Sequence, residues 1–230
     1  MYEPSSHFGI TVLTDTTERA PTFSLTPFEN QNESDDQPSF CYLHLEGAVD
    51  SAQAWNQLLQ REPRTLEWDG VVQLAGRKRL LGFDFSDRVS EYLFPIDDSG
   101  HSKFRISDNE SELKFVLGDQ LTHSISVTGL NPFARQMLLK LMMNIHSTLV
   151  MGRLDRYEDN LMTYVSAANN KLIDRAVRYV ELLLRRRLPK HTEMPDYVTL
   201  CRELFRQKAK LLPGESIVLR TMAEFLPRGK

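Results

Sequence analysis

Several features that define common protein classes are scarce in this sequence. Only two of the 230 residues are cysteines, Cys41 and Cys201. Both lie in apolar runs, so we expect buried thiols and neither a disulfide nor a metal site. No 18-residue apolar stretch and no basic-then-apolar leader occurs, and the net charge of -3 gives no indication of a nucleic-acid surface. We therefore expect a cytoplasmic protein that binds neither membrane nor nucleic acid.

The sequence also lacks the short motifs that carry most enzyme chemistry. It contains no GxSxG, no phosphate loop ending in GK[ST], no GxGxxG and no HExxH. The six histidines are scattered without metal-ligand spacing. His44, in a predicted strand, and His146, on a predicted helix, are interpreted as hydrogen-bonded structural residues. No catalytic residue, metal or cofactor is assigned from these patterns.

The first 130 residues alternate between strand-like and helical patterns. Apolar and β-branched runs predict strands at Gly9–Leu13, Phe40–Leu45 and Leu80–Phe85. Asp50 or Ser51 is suited to cap a helix that runs through Leu59. Strand, turn and helix in this order form half of a βαβ unit, which indicates a parallel sheet. Since a buried strand begins so close to Met1, we expect that the chain is the C-terminal part of a longer protein.

Tight polar turns and helical spacing dominate the rest of the chain. Short alternating segments predict antiparallel hairpins at Phe104–Ser107, Leu113–Leu117 and His123–Thr128. Asn131 is a natural N-cap, with Pro132 at the first helical position. Further helices are predicted at Glu158–Ala167, Asn169–Arg187, Tyr197–Leu211 and Glu215–Phe225. We therefore divide the chain into an α/β domain at 1–130, which includes the hairpins, and a helical region at 131–230.

Charged clusters on the predicted helices have an ordinary explanation. Glu158 and Asp159 are expected in the first turn of one helix, and Arg185–Arg187 at the end of another, where the helix dipole favours each charge. Asn169 and Lys171 lie at the start of a long predicted helix, and here a ligand-binding interpretation is open. With Asn169 as the cap, the free N–H groups and the Lys171 amine face one direction, which suits a phosphate or a sugar hydroxyl. The alternative is a plain helix cap beside an exposed lysine.

A block between Asn144 and Ala176 resembles a known family. It consists of Asn144-Ile145-His146-Ser147-Thr148, then Asn160-Leu161-Met162, then Asn169-Asn170-Lys171-Leu172 with Arg175-Ala176. This order, without gaps, is similar to a block near the C-terminus of N-acetylmuramic acid 6-phosphate etherases, which the glucokinase regulatory protein shares. Upstream, the segment 8–30 shows a weaker resemblance to the second sugar-isomerase (SIS) domain of the two-domain regulatory type. The chain thus resembles the C-terminal part of an SIS protein.

The resemblance implies a fold, a ligand and a set of site residues. The implied fold is α/β, a partial SIS-type (flavodoxin-like) parallel sheet with a small antiparallel hairpin region and a C-terminal helical bundle. The implied ligand is a phosphorylated hexose or amino sugar, toward which Lys171 reaches with Asn169 as its helix-capping neighbour. Ser147 and Thr148 match the family's Ser-Thr pair, to which we assign packing or support of the site. The implied partner is a second copy of the chain, or a chain that carries the missing SIS half.

Departures from the family pattern limit the activity that we expect. The glycine that follows the Ser-Thr pair is Leu149 here, and an aspartate of the etherases is Tyr164. The glycine- and serine-rich phosphate loop and the two catalytic glutamates have no counterpart, so acid–base chemistry lacks its groups. We expect a non-catalytic, sugar-phosphate-sensing or regulatory portion that alone binds phosphosugars weakly. The alternatives are a part of an etherase or sugar-phosphate isomerase, and a helical protein-interaction module that uses the helices after Pro189.

Overall fold

The computed structural model describes residues 1–22, 28, 30–32, 42–88, 102–118 and 121–227. The chain divides into two compact units. The first comprises Met1–Thr17 and Thr26–Ile145, and the second comprises Glu18–Leu25 and His146–Lys230. None of the helices in these described ranges has the length and apolar character that crossing a membrane requires.

The first unit contains a mixed four-stranded sheet. Its strands are β1 (Tyr2–Pro4), β2 (Phe104–Asp108), β3 (Glu112–Leu117) and β4 (Leu121–Ser126), which lie side by side in that order. β1 pairs with β2 in parallel, whereas β2, β3 and β4 form antiparallel pairs. The Asn109 side chain turns the chain between β2 and β3, because its Oδ1 accepts the N–H groups of Ser111 and Glu112. The predicted antiparallel hairpins are therefore confirmed.

The first unit also contains helices. They are α1 (Gly9–Thr22), α2 (Ser51–Leu59), α3 (Val72–Ala75), α4 (Arg77–Gly82) and α5 (Pro132–Arg153), of which α1 and α5 continue into the second unit. Asp50 caps α2, since its side chain accepts the Gln53 N–H at 2.9 Å. Asn131 caps α5 in the same way, through the Ala134 N–H at 2.8 Å. Both predicted caps are confirmed.

The core of the first unit lies between the sheet and these helices. Ile106 and Leu113 on the sheet, Val12 on α1 and Leu139 on α5 are fully buried. Trp55 of α2 adds a large apolar surface and donates its indole N–H to the Phe83 carbonyl at 2.9 Å. Burial of apolar side chains at about 25 cal/mol per Å² is the main stabilising contribution to such a core.

The second unit is mainly helical and has its own core. It contains a two-stranded ribbon, β5 (Tyr157–Glu158) with β6 (Leu161–Met162), and then α6 (Asn170–Arg187), α7 (Tyr197–Lys208) and α8 (Ile217–Ala223). Asp196 caps α7 and Ser216 caps α8, each through the N–H three residues ahead. Val180, Leu184, Leu204 and Val218 are among the fully buried residues between these helices. Cys201 is a free, partly buried thiol, and Cys41 lies outside the described residues.

The α/β class is confirmed, but the segments from which a parallel sheet was predicted do not form the strands of the sheet. The segments Gly9–Leu13 and Leu80–Phe85 belong largely to the helices α1 and α4. Phe8, which directly precedes α1, and Val12 and Asp15 within it are buried at helical spacing, which outweighs the strand preference of the β-branched residues. Such short apolar runs fit either structure, and burial on one helical face decides between them.

Two further predicted segments differ from the structure. Of the predicted strand Phe40–Leu45, the first two residues lie outside the described part, and the rest forms one isolated bridge, between Leu43 and Tyr2. The predicted helix Glu158–Ala167 is an extended segment that begins with the ribbon. There every second residue is buried, namely Leu161, Thr163, Val165 and Ala167. A period of two is typical of an extended chain with one buried face.

Candidate functional site

Strand β1 places Glu3 between two other segments of the first unit. The Tyr2 N–H donates to the Tyr42 carbonyl at 2.7 Å, and the His44 N–H donates to the Tyr2 carbonyl at 2.9 Å. On the other side, Glu3 is the register partner of Arg105 in β2. Since partners in register lie on the same face of a sheet, the side chains of Glu3 and Arg105 meet. The backbone thus gathers polar residues from distant parts of the sequence.

His44 is hydrogen-bonded through both ring nitrogens. Its Nδ1 lies 3.0 Å from Oε1 of Glu3, and its Nε2 lies 2.7 Å from Oδ1 of Asp87. Ionised carboxylates only accept hydrogen bonds, so each ring nitrogen donates a proton and the ring is an imidazolium. Asp87 is held in turn by the Gly47 N–H, which donates to the same Oδ1 at 3.2 Å.

The pKa values of both partners shift in the direction that preserves their charges. Burial by itself lowers the pKa of His44, but its hydrogen bonds with Glu3 and Asp87 outweigh burial and raise that pKa above the ordinary value of 6.5. Burial by itself raises the pKa of Glu3, yet the hydrogen bonds and charges of His44 and Lys103 lower it to about 2. At neutral pH the Glu3 carboxylate is therefore ionised, and its charge favours the cationic form of His44.

Two further cations bind the Glu3 carboxylate. Lys103 Nζ lies 2.8 Å from Oε1, and Arg105 Nε lies 3.2 Å from Oε2. The Glu3 side chain is 12% exposed, whereas those of Lys103 and Arg105 are 48% and 56% exposed. Glu3 is thus a largely buried anchor that orients two cations at the surface. Within the described residues only the Nε of Arg105 has a polar partner, so its terminal nitrogens keep their donors available.

A polar concavity opens beside this cluster. We call it the serine pocket, and it has a volume of about 450 Å³. Its polar lining includes Ser5, Ser6, Gln57, Arg105 and Ser107. The side chains of the three serines and of Gln57 form no hydrogen bond with any described residue. The pocket therefore presents hydroxyl and amide groups and the terminal nitrogens of Arg105, whose hydrogen-bonding capacity is unused within this part of the chain, together with the carboxylate of Glu46.

This arrangement is suited to binding. His44 and Glu3 border the serine pocket, but the imidazolium has no lone pair with which to accept a proton, and a carboxyl with a pKa of about 2 is a weak base. Among the described residues, no group of three or more His, Cys, Asp or Glu side chains is placed to hold a metal ion. The groups that remain are suited to an anion that also carries hydroxyls.

The sequence-predicted site residues lie in the second unit. Asn169 caps α6, because its Oδ1 accepts the Leu172 N–H at 3.1 Å, so the predicted cap is confirmed. Lys171 follows in the first turn and is exposed, and within the described part it forms no ion pair and no side-chain hydrogen bond. Ser147 and Thr148 are partly buried on α5, and no hydrogen bond joins either of them to Lys171. Their proposed ligand role stays a prediction.

The charged clusters of the second unit are neutralised within the chain. Arg186 donates to Asp159 at 2.9 Å, and Arg187 pairs with Glu158. Glu158 and Asp159 thus lie in and beside the ribbon strand β5 rather than at the start of a helix, and that prediction is wrong. Asp159 has a φ of 53°, a left-handed conformation that aspartate tolerates at tight turns. These ion pairs join the end of α6 to the ribbon.

Tyr164 forms a contact with Arg156 in the second unit. The Arg156 guanidinium carbon lies 4.2 Å from the centre of its ring, a cation–π contact. Arg156 is also tied to the extended segment through its carbonyl, which accepts the Thr163 N–H at 3.2 Å. The aromatic ring thus fixes the chain that leads from the ribbon towards α6.

Sequence reasoning missed the serine pocket. The residues that build it come from four segments, and Glu3 and Arg105 are 102 positions apart. No short motif links such positions, and His44 alone fits a structural histidine. The only local signal is the cluster of polar residues at the N-terminus, with Glu3, Ser5 and Ser6 directly before an apolar run.

Comparison with known proteins identifies no relative of this chain. The chain matches no family model, no curated protein and no solved structure.

Proposed function

We propose that this chain is a non-catalytic, phosphosugar-binding portion of an SIS-type protein and that the serine pocket holds the ligand. The observation that carries the proposal is the Arg105 guanidinium, whose Nε is fixed by Glu3 while its terminal N–H groups remain unpaired among the described residues. A guanidinium held in this way binds a phosphate through two parallel hydrogen bonds. Little rotational freedom is lost on binding, because Glu3 already orients the side chain.

The remaining lining suits the sugar part of such a ligand. Ser5, Ser6 and Ser107 each offer a hydroxyl that both donates and accepts, and Gln57 offers an amide. These groups match the hydroxyls of a hexose or amino sugar. The volume of about 450 Å³ lies within the roughly 300 to 1,000 Å³ of typical small-molecule sites.

A sensing or regulatory role fits this pocket better than catalysis. Of the side chains that line it, Glu3 and His44 are engaged with each other and with Asp87, Lys103 and Arg105, and Glu46 is a further, exposed carboxylate. An elimination or isomerisation of a sugar requires a base held in place to accept a proton, and Glu3 and His44 are not available for this. We place the protein in the cytoplasm, where phosphorylated sugars occur.

Lys171 is the second candidate for the phosphate contact, favoured by the resemblance of its block to the etherases. The confirmed cap at Asn169 leaves the first N–H groups of α6 directed away from the helix beside an unpaired amine. Unlike Arg105, this amine is not held by a neighbouring carboxylate among the described residues. We therefore assign the phosphate to Arg105 and treat Lys171 as the competing position.

Calorimetric titration with glucosamine 6-phosphate and fructose 6-phosphate tests the proposal. We expect weak binding, with a Kd of about 1 mM. Unphosphorylated glucosamine should bind less tightly. Arg105→Ala should abolish the heat signal, whereas Lys190→Ala, which removes an exposed cation of the second unit, should leave it unchanged.

Two results would contradict the proposal. One is a lack of binding by either phosphosugar at concentrations well above 1 mM, after circular dichroism has shown that the chain is folded. The other is binding that persists in Arg105→Ala and is lost in Lys171→Ala, which would move the ligand to the start of α6.

A further inference from the structure

Glu46 gives the serine pocket a charged group that the binding mode above does not use. It lines the pocket together with Arg105. Glu46 is exposed, and among the described residues its carboxylate forms no ion pair and no hydrogen bond. In particular, no ion pair joins it to Arg105, whose Nε bonds to Glu3. The pocket therefore offers a free carboxylate as well as free guanidinium nitrogens.

The backbone holds the turn that carries Glu46 on both sides. The Leu45 N–H donates to the Phe85 carbonyl at 2.9 Å, and the Gly47 N–H donates to Oδ1 of Asp87 at 3.2 Å. Gly47 has a φ of 81°, in the left-handed region that glycine adopts without steric cost. Because the turn is fixed in this way, Glu46 stays beside the pocket, and only its own side-chain torsions decide where the carboxylate lies.

The charges around the pocket favour one more cation. The polar cluster beside it contains three cations and two carboxylates, which are His44, Lys103, Arg105, Glu3 and Asp87. With His44 protonated, this cluster has one positive charge in excess, and Glu46 cancels it. A phosphate monoester brings a charge of about −1.5 to −2. A phosphosugar with no other charge leaves the Glu46 carboxylate unbalanced, whereas one with an ammonium group supplies the missing cation.

We propose that Glu46 makes the serine pocket selective for amino sugar phosphates that carry a free ammonium group. The inference rests on the proposed function, because Arg105 must bind the phosphate before Glu46 can distinguish what else the sugar carries. Glu3, the other carboxylate of the lining, is already held by three cations, so Glu46 is the one that can accept from an ammonium. The family resemblance does not imply this choice, since it covers hexose and amino sugar phosphates alike.

Calorimetric titration with three phosphosugars tests the selectivity. They are glucosamine 6-phosphate, glucose 6-phosphate and N-acetylglucosamine 6-phosphate, which differ only at the second carbon of the ring. At pH 6.5 the amine of the first is protonated, and the other two lack this charge. We expect glucosamine 6-phosphate to bind about fivefold more tightly than the other two, which is the upper end for an ion pair at an exposed site.

Substitutions at Glu46 separate its role from that of the rest of the pocket. Glu46→Gln should remove the preference, so that the Kd values become equal. Glu46→Lys should reverse it, because the introduced amine repels that of glucosamine 6-phosphate and attracts the phosphate. Glu193→Gln is the matched control, since it removes an exposed carboxylate of the second unit, and it should keep the wild-type ratio. Partial unfolding of a variant lowers the apparent affinity for every ligand alike and leaves this ratio unchanged.

The outcomes distinguish this inference from the proposed function on which it rests. Loss of the preference in Glu46→Gln and its reversal in Glu46→Lys would support the inference. Equal Kd values for glucosamine 6-phosphate and glucose 6-phosphate in the wild-type chain would overturn it, and so would a preference that persists in Glu46→Gln. In either case, binding that Arg105→Ala abolishes would leave the proposed function intact. If none of the phosphosugars binds, the proposed function fails together with the inference.

Discussion

Nδ1 of His44 lies 3.0 Å from Oε1 of Glu3, although 41 positions separate the two residues in the sequence. Through its other nitrogen the same ring holds Asp87, so one imidazolium links the first strand of the chain to two later segments. Both side chains are largely removed from water, at 9% exposure for His44 and 12% for Glu3. The link therefore contributes to stability as well as to the orientation of Arg105 beside the serine pocket.

Replacing His44 should destabilise the first unit. His44→Gln leaves the Glu3 carboxylate with Lys103 and Arg105 but removes the charge-assisted bonds to Glu3 and Asp87. The expected loss is about 2 to 3 kcal/mol in the free energy of unfolding, the range for hydrogen bonds to charged groups. Urea denaturation measures it. His123→Gln, at an exposed position of β4, should change the same quantity by less than about 0.5 kcal/mol.

The stability of the chain should fall on both sides of a plateau in pH. The pKa of Glu3 is about 2 in the folded chain and 4.5 ordinarily, so its contribution is complete above pH 4.5 and is lost as the pH falls towards 2. The pKa of His44 is raised above 6.5, so its contribution is complete below 6.5 and is lost as the pH rises through the folded value. Urea denaturation from pH 3 to 9 measures both limbs.

The fall in stability at alkaline pH tests the role of His44 more specifically than the fall at acid pH. Several other carboxyls, such as those of Glu203 and Glu215, also have lowered pKa values and add to the fall in stability at acid pH. The decline above pH 6.5 should be reduced in His44→Gln. An equal decline in the variant would assign it to another group.

Removing the cap of α6 should have a moderate effect on stability. Asn169→Ala deprives the Leu172 N–H of its acceptor, which costs about 1 kcal/mol in the free energy of unfolding. Asn170→Ala, one position later and exposed, is the control and should cost little. Lys171→Ala should also change stability by less than about 0.5 kcal/mol. Thermal or urea unfolding of the three variants separates a structural cap from a ligand contact at this helix start.

Replacing the buried Ser216 should lower the free energy of unfolding more than replacing the exposed cap Asn169. The Ser216 side chain is 5% exposed, accepts the Leu219 N–H at 3.1 Å and donates to the Thr163 carbonyl. Ser216→Ala would leave that buried carbonyl without this donor and α8 without its cap. We expect a loss of about 2 to 3 kcal/mol, and urea denaturation would report it. Ser216→Thr, which keeps the hydroxyl, should recover part of this loss.

Elements with local signals could be predicted from the sequence. Asn131 followed by Pro132 identifies the start of α5, and Asn169 identifies that of α6, because a cap and its N–H partner lie within three residues. The turn at Asn109 and the alternation around it identify β2 and β3. The predicted bounds of these elements agree with the structure to within a few residues.

The remaining errors arise at segments whose structure depends on contacts with residues far away in the sequence. The segment Gly9–Leu13 is helical because Phe8 and Val12 face one core, which the run itself does not reveal. The segment after Asp159 is extended instead of helical because Leu161, Val165 and Ala167 are buried at a period of two in the core of the second unit. The candidate site shows the same limit, since Glu3, His44, Asp87 and Arg105 meet only through the sheet and the loops beside it.

Mapping the ligand by two-dimensional ¹H–¹⁵N NMR tests the central claim most directly. The 26.5 kDa chain would be titrated with glucosamine 6-phosphate while the backbone amide signals are followed. We predict that the largest shifts occur at Ser5, Ser6 and Ser107 and that they disappear in Arg105→Ala. Shifts confined to Asn169–Leu172, or unchanged spectra at saturating phosphosugar, would contradict the assignment of the ligand to the serine pocket.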